Sequence, residues 1–267
     1  KIEQILQLFK DEMTKYFSNS DIFNIFKSNK KLLLFLIENN IMTVDEYIAR
    51  KIIDFKYQKQ KYPQYFMPEI KPYVNEKWFP KYNNIKHQEI KYEEEEEEYV
   101  QEENPWVEKI MMEIPEDFYE KRKKGEDEKY ICQLIKNDNI NEFVIYTNKN
   151  CISLDSFIPI SIFETNPYLA KQGEILIIEY AAFFGANQIF NYLRFNGVEL
   201  DSHLWFPAIY GKNATIIHIL EENQIFVTDD IFLLCLQESI KCHHNDIFDY
   251  IQNNYSTNEI DDSEYIL

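Results

Sequence analysis

Glycine is scarce in this chain, five in 267 residues, and proline is little commoner at nine. A sandwich or barrel of short strands needs a turn roughly every ten residues, so this shortage disfavours one. The glycines, Gly125, Gly173, Gly185, Gly197 and Gly211, never fall within five residues of one another. That leaves no glycine-rich loop to cradle a phosphate. Four cysteines, Cys132, Cys151, Cys235 and Cys242, are too few for a disulfide scaffold in a chain of this length and point to reduced thiols. No apolar run approaches the roughly 20 residues of a membrane span; the longest, Leu32 to Ile37 and Ile175 to Ile178, are far shorter. Basic residues are also in deficit, 28 against 46 acidic, a net charge of −18. Tracking a phosphate backbone rests on Lys and Arg, so nucleic acid is excluded as the expected partner. The chain begins at Lys1 with a mixed charged segment and no secretory pattern, which suggests a fragment lacking its natural start. The expected setting is intracellular, cytoplasmic or nuclear, with no membrane partner.

What is present is apolar material for a core, 45% of residues, 16% aromatic. Ile2, Ile5, Leu6, Phe9, Met13, Tyr16 and Phe17 recur at three- and four-residue steps and predict one face of a helix. Ser20 or Asp21 is placed to cap the next helix, whose partner block is Leu32 to Ile37. Thr43-Val44-Asp45-Glu46 has capping-box spacing and predicts a third helix to about Tyr57. Residues 1–60 thus read as an N-terminal helical segment.

Residues 61–128 read as a connecting region, partly disordered. Pro63, Pro68, Pro72 and Pro80 interrupt long helices there, while Tyr62, Tyr65, Phe66, Tyr73, Trp78 and Phe79 can anchor short ones. Glu93 to Glu98 are six consecutive carboxylates, and residues 89–128 carry 17 acids against 6 bases. Such a tract is expected to be solvated and mobile. Docking of a basic partner on Glu93–Glu98 is the functional alternative. Lys121-Arg122-Lys123-Lys124 beside it is expected to make exposed local ion pairs.

Residues 129–255 repeat. Four segments share a turn residue, an apolar pair soon after, and Asn or Gly twelve residues on: Asp138 to Asn150, Gly185 to Gly197, Gly211 to Asn223 and Cys242 to Asn254. Three residues before each turn sit Ile135, Ala182, Ala208 and Ser239, the small ones permitting close helix packing. This predicts stacked helical hairpins, each covering the apolar face of the next. The closing Asn or Gly fits a left-handed terminator. Residues 256–267 read as a mobile tail.

Ala181-Ala182-Phe183-Phe184-Gly185, then Ile189-Phe190, Leu193 and Gly197-Val198-Glu199-Leu200-Asp201, resembles an ankyrin repeat. Lys123-Lys124-Gly125-Glu126-Asp127, Phe163-Glu164-Thr165-Asn166, Ile217-His218-Ile219-Leu220-Glu221-Glu222-Asn223 and Ile240-Lys241-Cys242-His243-His244-Asn245-Asp246-Ile247 extend the likeness. Together they are similar to the large trichomonad-type family of ankyrin-repeat proteins carrying a conserved domain of unknown function. Turn steps of 47, 26 and 31 residues depart from the usual ~33. The short step leaves no room for a β-finger, and the long one leaves room for an insertion around Phe157 to Gln172. The expected fold is therefore all-α: an α-solenoid of ankyrin-like hairpins with shortened or absent β-fingers and an N-terminal helical segment.

The tempting chemistry is Cys242-His243-His244 with Cys235 upstream, which would suit a metal site or a cysteine hydrolase. Adjacent histidines on a helix diverge, however, and no C-x-x-C or H-x-x-x-H pair exists. Placing Cys242 at a turn, with the imidazoles capping or packing, is the plainer explanation. The expectation is a non-enzymatic interaction scaffold with no cofactor, no metal, no small-molecule substrate and an unidentified protein partner. Resemblance to ankyrin stacks implies that the two residues before each turn face the groove, Phe183-Phe184, Ile209-Tyr210 and Ile240-Lys241, unless the atypical helices rotate them into the core. Self-association through exposed stack ends is a further alternative.

Overall fold

The computed structural model describes residues 2–53, 61–74, 114–227 and 229–255. In chain order the helices begin with α1 (Ile2–Leu8), α2 (Lys10–Tyr16), α3 (Asn19–Phe26), α4 (Lys30–Glu38) and α5 (Glu46–Ile53). Short helices α6 (Tyr62–Tyr65) and α7 (Met67–Ile70), then α8 (Phe118–Lys124), α9 (Tyr130–Lys136) and α10 (Ile140–Lys149), follow. Strand β1 (Phe157–Pro159), helix α11 (Leu169–Gln172) and strand β2 (Glu174–Leu176) come next. The chain continues through α12 (Ile177–Phe184), α13 (Asn187–Phe195), α14 (Trp205–Tyr210), α15 (Ala214–Glu222), α16 (Asp229–Lys241) and α17 (Asn245–Tyr255). The protein is thus mostly helical, as expected. Its two described strands pair antiparallel, Ile158 opposite Ile175. Among the described residues no helix is long and apolar enough to cross a membrane.

The chain divides into two compact units, one of Lys1–Glu126 with Ser161–Gly173, the other of Asp127–Ile160 with Glu174–Leu267. The insertion anticipated around Phe157 to Gln172 therefore supplies β1 to one unit and α11 to the other. The Glu93–Glu98 tract and residues 256–267 lie outside the described residues.

In the first unit most of the N-terminal apolar stripe lies outside the core. Only Leu6 of α1 and α2 is buried, and Ile2, Ile5, Leu8, Phe9, Tyr16 and Phe17 are exposed. The helix expected there breaks in two at Phe9. Capping falls a few residues from where it was expected. Ser18, not Ser20 or Asp21, caps α3: its hydroxyl accepts from the Asp21 amide, and the Asp21 carboxylate accepts from the Ser18 amide. Asp45 rather than Thr43 caps α5, accepting from the Ile48 amide at 2.8 Å. The core of this unit is built from Ile22, Phe23, Leu36, Ile48, Tyr65, Phe66 and Phe118.

Two buried cations complete it. Arg122 was expected in an exposed basic run, yet it is buried on α8 and binds Glu69 through two nitrogens at 2.8 and 2.9 Å. A third bond runs to the Tyr65 carbonyl. Its neighbours Lys121 and Lys124 do make the surface pairs expected, with Asp117 and Glu120. Lys30 is buried with its ammonium 5.4 Å from the rings of both Tyr62 and Tyr65 and 3.4 Å from the carbonyls of Ile162 and Glu164. Burial pulls its pKa down to about 7; the Glu164 carboxylate opposes the drop and Lys61 adds to it.

The second unit contains four helix pairs, α9–α10, α12–α13, α14–α15 and α16–α17. The first helices pack in succession, α9 on α12, α12 on α14 and α14 on α16, and α10 packs on α13. Small residues allow the approach: Ala181, Ala182, Ala208 and Ser239 are fully buried. Trp205 fills the interior of the third pair and donates its indole N–H to the Ile225 carbonyl at 3.0 Å.

Candidate interaction surface

The turns within the pairs share one geometry. Asp138, Gly185, Lys212 and His243 each adopt a left-handed conformation, with φ of 47°, 64°, 55° and 56°. The next amide then bonds the carbonyl five residues back: Asn139 to Leu134, Ala186 to Ala181, Asn213 to Ala208 and His244 to Ser239. This is the Schellman arrangement, which satisfies carbonyls orphaned at a helix end. It corrects the sequence alignment by one residue in the last two pairs, where Lys212 and His243 occupy the slot assigned to Gly211 and Cys242.

Gly211 has an ordinary right-handed conformation. It is required for space, since a Cβ there would lie 2.0 Å from the Phe183 carbonyl oxygen. Gly185 is needed for its positive φ, and its added Cβ would also meet Asn213.

The second helices end by a related device. Asn150, Asn196, Asn223 and Asn254 each turn the side-chain amide back onto the carbonyl four residues earlier, at 2.7–2.8 Å. The left-handed residues at these ends are Cys151, Gly197 and Gln224. Of the expected terminators only Gly197 takes that conformation; Asn150 and Asn223 stand one residue before it.

Side chains at the turns tie neighbouring pairs together. The Asp138 carboxylate accepts from the Gln188 and Ile189 amides at the start of α13, each at 3.0 Å. Asn213 donates to the carbonyls of Ala182 and Phe183 at the end of α12, at 2.7 and 2.9 Å. His244 stands at the equivalent position one pair later, its Nδ1 2.9 Å from the Ile209 carbonyl at the end of α14. A carbonyl only accepts, so Nδ1 must carry the proton.

The Cys235, Cys242, His243 and His244 constellation does not converge. His243 is the exposed turn residue and His244 faces the preceding pair. Among the described residues no three His, Cys, Asp or Glu side chains are placed to hold a metal. Burial pushes the Cys235 thiol up to about 12, with Glu238 adding to the effect, and the same causes raise Cys242. Both therefore stay protonated, the opposite of an activated nucleophile.

The six expected surface residues divide. Phe183 and Ile209 are buried, Phe184 and Tyr210 are half-buried, and Ile240 and Lys241 are exposed. Relative to the left-handed turn residues, Lys136, Tyr210 and Lys241 stand two residues before the turn, where the second pair has the buried Phe183; Phe184, one residue before its turn, is the accessible side chain there. Lys136 holds its ammonium 5.2 Å from the Phe184 ring, which also packs on Tyr180 and Phe183. The Tyr210 hydroxyl bonds to Glu238, and burial together with that carboxylate raises its pKa. Lys241 donates to the same Glu238 at 2.7 Å.

Lys136, Glu238 and Asn213 were missed in the sequence, and His244, expected to cap or pack against the next unit, instead reaches the preceding one. Asn139, Asn213 and His244 all follow a left-handed residue, but the one-residue slip in the last two pairs put Lys212 and His243 at that position and hid the correspondence. No family model, no curated protein and no solved structure matches this chain.

Proposed function

We propose that the second unit is an ankyrin-like α-solenoid working as a non-enzymatic protein-interaction scaffold. The observation that carries this reading is the shared turn geometry of four successive helix pairs, which brings accessible side chains to the ends of the first helices. Phe184 and Tyr210 supply aromatic area there, and Lys136, Glu238 and Lys241 supply charge of both signs. Half-buried aromatics flanked by charges suit the anchor-and-rim anatomy of protein contacts. The protonated state of Cys235 and Cys242 favours this reading over the hydrolase alternative.

The test is affinity capture with the full chain against a Lys136→Glu/Lys241→Glu double variant. The variant loses the Lys136–Phe184 contact and the Lys241–Glu238 pair, so its melting temperature should fall slightly while its helical signal matches the parent's. The reading expects a protein captured at stoichiometric yield by the parent and lost at least tenfold with the variant. Equal capture by both would move the contact elsewhere, and stoichiometric zinc in the purified chain would revive the metal alternative.

A further inference from the structure

Positions that are covered inside the run of four helix pairs are bare at its two ends. Three residues before the left-handed turn residue stand Ile135, Ala182, Ile209 and Ile240. The first three are 0% exposed, and Ile240 is 46% exposed. Leu233 and Leu234 on the same helix are exposed as well. The trailing face thus presents apolar side chains where the next pair would sit.

The leading pair is bare in the complementary register. Eight residues before the turn stand Tyr130, Ile177, Leu204 and Cys235; the last three are buried, and Tyr130 is 50% exposed. Seven residues after it stand Ile145, Tyr192, Ile219 and Tyr250. This position faces backwards in the later pairs. The Tyr192 ring lies 6.3 Å from Phe143, and the Tyr250 hydroxyl bonds Glu221, each in the preceding pair. Ile145 has no preceding pair among the described residues and is 58% exposed.

The polar clamp is present too. Asn213 and His244 each reach back to the carbonyl three residues before the previous turn. Asn139 holds that position in the first pair and is exposed. Its carbonyl oxygen accepts from the Glu142 amide, while its NH2 makes no hydrogen bond among the described residues. The acceptor matching it by register is the Ile240 carbonyl.

From this continuity we infer that a second copy of the chain docks head to tail. Its α9–α10 pair covers α16 of the first copy, Ile145 and Tyr130 meet the Ile240 face, and Asn139 donates to the Ile240 carbonyl. Such a contact joins two different faces and leaves one of each free, so association is open-ended. It needs no other partner and stands apart from the scaffold reading.

Sedimentation of the full chain over rising concentration tests it. The average mass should climb past two chains without a plateau. Ile145→Glu and Ile240→Glu, both at exposed positions, should each hold the chain as a monomer with its helical signal and melting temperature intact. Mixing the two variants should give a dimer and stop there, because only one intact face of each kind remains. Should either variant melt early, Tyr130→Glu or Leu233→Glu replaces it. A chain that stays monomeric throughout overturns the inference. So does a dimer that never grows and is abolished by Ile240→Glu alone, since that is tail-to-tail pairing.

Discussion

In the first unit, Lys30 and Arg122 are sunk among aromatic rings and answered by Glu164 and Glu69. In the second, uncharged groups do most of the equivalent work. Asn213 and His244 satisfy helix-end carbonyls, four asparagines cap their own helices, and among the described residues Asp127 is the one fully buried charge. A buried ion pair is costly to break because the abandoned partner stays out of water. A neutral hydrogen bond is worth about 1 kcal/mol. The first unit therefore concentrates its vulnerability at two residues, whereas the second spreads it along a repeated seam.

The sharpest way to break this contrast is through Lys30. Its pKa is about 7 in the folded chain, against an ordinary value of about 10.4 in the unfolded one. Between those limits the unfolded chain binds more protons, so stability rises with pH from about 7 toward 10 and is flat below. The folding constant should grow by up to about tenfold per pH unit in that window. Lys30→Met should remove the slope in a denaturant series, and parallel curves for parent and variant would refute the assignment.

Next is Arg122→Ala, which strands Glu69 and should cost about 3 kcal/mol. Hydrogen exchange should speed up in α6 and α7 and stay unchanged in α12 to α15. Gly211→Ala should do the reverse. Driving a methyl onto the Phe183 carbonyl should cost about 2 kcal/mol and loosen the second unit. Uniform loss of protection in either variant would mean that the two units unfold as one. The smallest effect belongs to Lys124→Ala, which removes an exposed pair with Glu120 and should change stability by less than about 0.5 kcal/mol.

Helical character, the four turns and the small residues that let helices approach were legible before any coordinates. Periodicity and chain punctuation are local signals. The one-residue slip in the last two pairs has a specific cause. Gly185 and Gly211 look alike in sequence, but one serves a backbone angle and the other a close approach to another helix. Only the packed neighbour, Phe183, separates them. Arg122 was misplaced for a similar reason. Its flanking lysines do face water, and nothing in Lys121-Arg122-Lys123-Lys124 reveals that Glu69, 53 residues earlier, lies against the second residue of the run. The N-terminal stripe was correctly periodic yet, apart from Leu6 and Met13, stays exposed, since periodicity names a face without naming what covers it.

Because asparagine side chains cap the second helices, the residue that follows need not be glycine, and Cys151 and Gln224 fill that bend despite their Cβ atoms. Lys212, Asp138 and His243 do likewise within the pairs. Each tolerates crowding worth about 1 kcal/mol that a glycine would relieve. The chain thereby keeps four of these joints open to many residue types, and drift there should alter surface chemistry while leaving the architecture in place; Asp138 is the exception, because its carboxylate also holds the start of α13.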